Sequence, residues 1–185
     1  MKRIEELQQE AIALLQKLIS TPSLSGEEDQ TAAHIKAWLE SYGVACKQEK
    51  NNVYAINKHE DPSKPYLLLN SHHDTVHANS GYTRNPHDAT IEDGKLYGLG
   101  SNDAGGALVC LLATFVYFYE HENMAYNLVV AATAEEETSG PNGLNSLLKT
   151  LPPIDTAIVG EPTQMHLAVA EKGLVVFDAT INGTA

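Results

Sequence analysis

Apolar residues recur at helical spacing over residues 4–19, where Ile4, Leu7, Ala11, Leu14, Leu15 and Leu18 share one face until Thr21-Pro22 stops the run. Ser25-Gly26-Glu27-Glu28 has the form of a capping box. It predicts a second helix that turns Ile35, Trp38, Leu39 and Tyr42 inward and stops at Gly43. Beyond it the period changes. Residues 44–48 and 53–57 predict paired strands around Lys50-Asn51-Asn52, residues 59–65 a polar loop, and Tyr66-Leu67-Leu68-Leu69-Asn70 a buried strand. Residues 77–95 are rich in turn formers and close on Glu92-Asp93-Gly94-Lys95, a hairpin signal. Residues 96–101 carry two glycines and lead into a long helix from about Asp103. Its Ala107, Leu108, Leu111, Leu112, Phe115 and Phe118 make it apolar enough to be buried. Residues 127–133 and 156–160 predict further buried strands, with a short helix over 143–149 between them that Pro152-Pro153 ends. Residues 166–170 and 174–181 predict strands of another character, the second alternating apolar and polar from Phe177 onward.

Strands alternating with helices imply an α/β domain, a mostly parallel twisted sheet with helices on both faces. In open sheets of this kind ligands bind beyond the carboxyl ends of the strands. Four candidate groups stand there. His72 and Asp74 follow the 66–70 strand, Asp103 follows Tyr97-Gly98-Leu99-Gly100-Ser101-Asn102, Glu135-Glu136-Glu137 follow 127–133, and Glu161 follows 157–160. Period-two geometry puts His72 and Asp74 on one side of an extended chain. A carboxylate so placed holds an imidazole in one tautomer while its other nitrogen binds a metal. Each group also has an ordinary reading: a loop histidine with a surface acid, an N-cap at Asp103, a surface run of glutamates, a turn at Glu161. Together, however, carboxylates at neighbouring strand ends repel unless something positive joins them. One histidine with several carboxylates suits Zn²⁺, Mn²⁺ or Co²⁺ better than Ca²⁺ or Mg²⁺.

Charge narrows the partners. Lys plus Arg is 12 against 24 Asp plus Glu, a formal charge of −12 in 185 residues, which argues against nucleic acid and anionic membranes. Cys46 and Cys110 lie far apart without CxxC spacing, so neither a disulfide framework nor a thiolate metal site is indicated. Cys110 is expected to be a small buried hydrophobe. The charged start Met1-Lys2-Arg3-Ile4-Glu5-Glu6 leads into no signal-like apolar segment, and no run reads as long enough to span a membrane. A cytoplasmic location is expected.

The motifs in this order resemble those of the M20 family of dinuclear metallohydrolases, which includes acetylornithine deacetylase, succinyl-diaminopimelate desuccinylase, glutamate carboxypeptidase and aminoacylase. The resemblance is carried by His72-His73-Asp74, by Tyr97-Gly98-Leu99-Gly100-Ser101-Asn102-Asp103, by Glu136-Glu137 within Thr133-Ala134-Glu135-Glu136-Glu137-Thr138, and by Gly160-Glu161-Pro162-Thr163. It implies a zinc-exopeptidase-like catalytic domain holding two divalent ions, Zn²⁺ first and Co²⁺ or Mn²⁺ as alternatives. His72 and Glu161 would bind one ion and Glu137 the other, with Asp103 bridging. Asp74 would orient His72, and Glu136 would be the general base. Spacing alone does not separate Glu136 from Glu137. The implied reaction is hydrolysis of the amide of an N-acyl amino acid by a water shared between the ions, with a metallo-exopeptidase or dipeptidase, or a non-catalytic binding fragment, as alternatives. A cis peptide is expected at Asp103–Ala104. The chain departs from the family pattern at Glu135 (usually Asp), Ser71 (usually Gly) and Leu99 (usually Arg).

Other groups near these motifs have plain readings. His73, His77 and His87 are expected as solvated loop histidines, although any of them could touch substrate. Arg84 could meet a substrate carboxylate or be a surface arginine. Lys172-Gly173 resembles the family's crossing into a lid domain. Residues 1–172 would then be part of the catalytic domain and 173–185 the first strand of a lid through which the family forms homodimers. The family's last histidine ligand and its lid histidine are not in the sequence, so the chain is expected to be incomplete and, alone, to bind metal poorly and hydrolyse little.

Overall fold

The computed structural model describes residues 4–170 and, beyond them, 173, 175, 177, 179–181 and 183. Two helices come first, α1 (Ile4–Ile19) and α2 (Asp29–Ser41). Strands β1 (Lys47–Glu49), β2 (Asn52–Ile56) and β3 (Tyr66–His72) follow, then a small hairpin of β4 (Ile91–Glu92) and β5 (Lys95–Leu96). A π-type turn, Ser101–Gly105, feeds α3 (Gly106–Phe118). After it come β6 (Asn127–Thr133), α4 (Leu144–Leu147) and β7 (Thr156–Val159).

The main sheet among the described residues is mixed, in the order β1-β2-β6-β3-β7. β6, β3 and β7 run parallel, and β1 and β2 add an antiparallel flank. Alternation along each strand divides the core in two. Val53, Ala55, Leu69, Leu128, Val130 and Ala132 pack with the buried faces of α1, α2 and α3. Tyr54, Leu68, Val129 and Ala131 turn to the other face and pack with Leu147 of α4 and Leu151. Helices therefore cover both faces, as expected of an α/β layer. β6 is buried along its whole length because it has a strand on each side and side chains packed on each face.

Parallel register is what builds a site. His72 stands opposite Thr133, and Asn70 stands opposite Val159. The three chain segments leaving β3, β6 and β7 therefore emerge side by side. Two bonds tie them at that edge: the His73 amide donates to the Thr133 carbonyl at 3.0 Å and the Gly160 amide to the Asn70 carbonyl at 2.8 Å.

Several expectations need correcting. Ser25-Gly26-Glu27-Glu28 is not a capping box, because α2 begins at Asp29 and its cap residue Glu28 makes no side-chain cap bond. β7 is an edge strand whose four residues are exposed, since no further strand flanks it among the described residues. α3 buries only Leu108, Val109, Leu112 and Phe115. Cys110 falls on the opposite side and is exposed, not buried. Residues 166–170 form no strand; Leu167 and Val169 are exposed, without a neighbouring ladder among the described residues. The strand expected over 174–181 falls partly, and Lys172 wholly, outside the described residues. The stretch Ser101–Phe118 has the length and composition of a membrane-crossing helix. Asp103 and Ala104 break it with non-helical backbone, leaving 13 α-helical residues. Those span about 20 Å, against a hydrocarbon thickness of about 30 Å.

Candidate metal centre

β3 delivers His72 buried and fixed. Its Nδ1–H faces the Asp74 carbonyl at 3.1 Å and Asp74 Oδ1 at 3.3 Å. Nε2 is left pointing at acids: Asp103 Oδ1 at 3.1 Å, Glu136 Oε2 at 3.8 Å and Glu161 Oε2 at 3.9 Å. Donor atoms of His72, Asp103 and Glu137 all lie within 4.8 Å of one another. All six residues singled out in the sequence are thus brought to one edge of the sheet.

Asp103 arrives by an unusual route. Gly100, at φ +77, turns the chain in a conformation that suits glycine, and a Cβ there would sit 2.8 Å from Thr75 Cγ2. Asp103 itself lies outside helical geometry at φ −112, ψ 101, and its peptide with Ala104 is cis, as the family pattern implies. It is no N-cap: α3 starts three residues later, with Gly105 at its cap position and no side-chain cap bond.

Asp74 is fully buried and acts as an anchor. Oδ1 accepts the Glu136 amide at 3.1 Å; Oδ2 accepts the Glu137 amide at 3.1 Å and the Ser25 hydroxyl at 2.7 Å. Burial opposes its charge, but hydrogen bonds from His72, Ser25 and the two amides outweigh that and bring its pKa to about 2. Burial would lower the pKa of His72, yet Asp74, Glu161 and Glu136 raise it to about 9. Burial first, then neighbouring acids, push Glu137 and Glu161 upward. Carboxyls that resist ionising around an imidazole that holds its proton mark a place where positive charge is wanted. One nitrogen and several carboxylate oxygens is also a donor set for Zn²⁺, Mn²⁺ or Co²⁺. The residues fit the group.

The three consecutive glutamates have different surroundings. Glu137 is half-buried and belongs to the close donor cluster, whereas the Glu136 side chain is 54% exposed beside it. Glu135 leaves the site altogether: its carboxylate accepts the Asn142 amide at 3.0 Å and Asn142 Nδ2 at 2.7 Å.

His73 is not a solvated loop residue. It is buried, with Nε2–H donating to the Asn51 carbonyl at 2.9 Å and Nδ1 facing the Thr31 hydroxyl at 2.9 Å. His87 is half-buried and donates from Nδ1 to the Ile19 carbonyl, while His77 is exposed. Arg84 pairs with Glu92 at 2.8 Å and lies over the Tyr97 ring. Ser25 escapes sequence reasoning because its partner Asp74 is 49 residues away and the Ser-x-x-Glu spacing suggests a cap instead.

Residues 68–178 match the profile of Peptidase family M20/M25/M40. Acetylornithine deacetylase of Shigella sonnei (strain Ss046) is 32% identical over 184 residues, covering 93% of this chain and 48% of the relative. Acetylornithine deacetylase of Proteus mirabilis (strain HI4320) is 31% identical over 174 residues, covering 88% and 45%. The chain spans about half the length of the curated relatives it matches. Among solved structures, the M20 family metallo-carboxypeptidase Sso-CP2 from Sulfolobus solfataricus superposes with a TM-score of 0.70 at 26% identity, over 82% of this chain and 37% of that one. Human carnosine dipeptidase 1 shares the fold with a TM-score of 0.63 at 20% identity, over 84% and 39%.

Proposed function

Because this chain belongs to Peptidase family M20/M25/M40, we propose that the protein hydrolyses the amide bond of an N-acyl amino acid, using two divalent cations held by His72, Asp103, Glu137 and Glu161. The supporting observation is the convergence of His72, Asp103 and Glu137 donor atoms within 4.8 Å. The exposed Glu136 carboxylate stands beside them, 3.8 Å from His72 Nε2. Cations bound there, Zn²⁺ first and Co²⁺ or Mn²⁺ next, would supply Lewis acidity toward the amide carbonyl and acidify a nearby water.

The chain's own residues do the rest. Asp74 fixes the His72 ring through Nδ1 and so directs Nε2 at the acids. Glu136 accepts a proton from the attacking water as its oxygen bonds to the carbonyl carbon. The same carboxyl returns that proton to the amide nitrogen as the C–N bond breaks, and the amine departs.

The two deacetylase relatives favour an acylated amino acid such as acetylornithine. The likeness to Sso-CP2 favours a second reading, a metallo-exopeptidase or dipeptidase. Rates of the full-length protein with Zn²⁺ on acetylornithine, acetylcitrulline, succinylated analogues and dipeptides decide between them. A higher kcat/KM on dipeptides overturns the first reading. A protein that binds but does not turn over any of these is the non-catalytic alternative. We further place the protein in the cytoplasm as a homodimer joined outside residues 1–172, acting on small molecules and not on nucleic acid or membrane. Residues 1–185 expressed alone are expected to hydrolyse little, and near-normal turnover by them refutes that.

A further inference from the structure

Three consecutive backbone N–H groups, those of Glu135, Glu136 and Glu137, point at two buried carboxyl groups. Glu136 and Glu137 donate to Asp74, and Glu135 donates to Glu28 Oε1 at 3.0 Å. Glu135 has φ +54, in the left-handed region, which lets successive N–H groups converge into an anion-holding concavity. Asp74 belongs to the metal centre, but Glu28 does not. It precedes α2, is 0% exposed, and its side chain makes no cap bond to that helix. Its oxygens instead accept the Gly26 amide at 2.7 Å and Asn51 Nδ2 at 2.8 Å besides Glu135. Ser25, earlier in the same loop, donates to Asp74, which in turn accepts the Glu136 and Glu137 amides. The loop between α1 and α2 thus holds the turn after β6 directly through Glu28 and indirectly through Ser25 and Asp74.

We propose that Glu28 is a positioning residue for Glu136 and Glu137. By holding the Glu135 amide it sets the direction in which the next two side chains leave the turn. This rests on the reading of Glu136 as base and Glu137 as ligand. Glu28 touches neither substrate nor metal and acts only through the backbone.

The test is made in the full-length protein with Glu28→Ala, Glu28→Gln and Glu28→Asp. Hydrogen exchange is read at the amides of Glu135–Glu137 against those of β6, alongside steady-state kinetics. In Glu28→Ala the turn amides should exchange about tenfold faster or more while β6 keeps its protection. The kcat should fall about tenfold or more with KM within about twofold, as a misplaced reacting group predicts. Glu28→Gln keeps an oxygen for the Glu135 amide and should restore most of both. Unchanged exchange at the turn, equal loss over β6, or Gln no better than Ala overturns the proposal. Should Glu28→Ala not fold, Glu28→Asp decides. It keeps the acid but falls one methylene short of Glu135, and wild-type protection at the turn in that variant overturns the proposal. The exchange measurement needs no substrate. A wild-type protein with no turnover would therefore sink the functional reading and leave this test intact.

Discussion

Two sets of acids meet at this sheet edge, and they are held in opposite ways. Asp74, Glu28 and Glu135 are each surrounded by N–H and O–H donors. Asp103, Glu136, Glu137 and Glu161 face one another and His72 instead, and the side chains of Asp103 and Glu136 are more than half exposed. The residue types are the same. What differs is whether the protein supplies the positive partner. At Asp74, where hydrogen bonds from His72, Ser25 and two backbone amides supply it, the pKa falls to about 2. Where they do not, burial and neighbouring acids raise it at Glu137 and Glu161. The first set builds a scaffold; the second leaves a charge for a cation to balance.

The largest test of that contrast is Glu136→Gln, in the open set. It should lower kcat about a thousandfold, within the range for general acid–base groups, while Zn²⁺ content stays at the wild-type value. Loss of metal along with turnover would move Glu136 into the ligand set. Next is Asp74→Asn, in the held set. An amide group there meets four donors with one of its own, so stability in urea should fall by about 2 kcal/mol. Zn²⁺ affinity by calorimetry should fall about 10- to 100-fold, because His72 loses its orienting partner.

Metal removal separates the sets by sign. The folded pKa of Asp74 is depressed, so its contribution to stability is present above the unfolded value of about 3.9 and is lost as pH falls toward about 2. The folded values of Glu137 and Glu161 are raised without metal. Their contribution is therefore present below about 4.3 and is lost as pH rises through the folded values. Glu161→Gln should raise the urea midpoint at pH 8 in EDTA and lower it with saturating Zn²⁺. The same sign in both conditions would erase the distinction. The smallest effect is expected for Ser25→Ala, which removes one of four donors to Asp74 and should cost about 1 kcal/mol in urea unfolding.

Much of the site was legible because strand-to-loop transitions are. Short apolar runs at 66–70, 127–133 and 156–160 locate β3, β6 and β7, and His72 stands as the last residue of β3 while Asp74, Glu136, Glu137 and Glu161 stand just past the strand ends. The misreadings share a cause. Ser25 and Glu28 satisfy a local cap pattern, yet their partners Asp74 and Glu135 lie 49 and 107 residues away. His73 has no local partner and reads as a solvated loop residue, but Thr31 and Asn51 close over it. Cys110 sits in an apolar run whose inward face only packing selects.

The α/β alternation and the placing of one histidine and several acids at strand ends can be read from residue order alone, because hydrophobic period and turn residues act over a few positions. Which acids are neutralised by amides and which are left facing one another was settled by folding. That choice depends on donors brought from distant loops by parallel register, and no local pattern encodes a partner a hundred residues away.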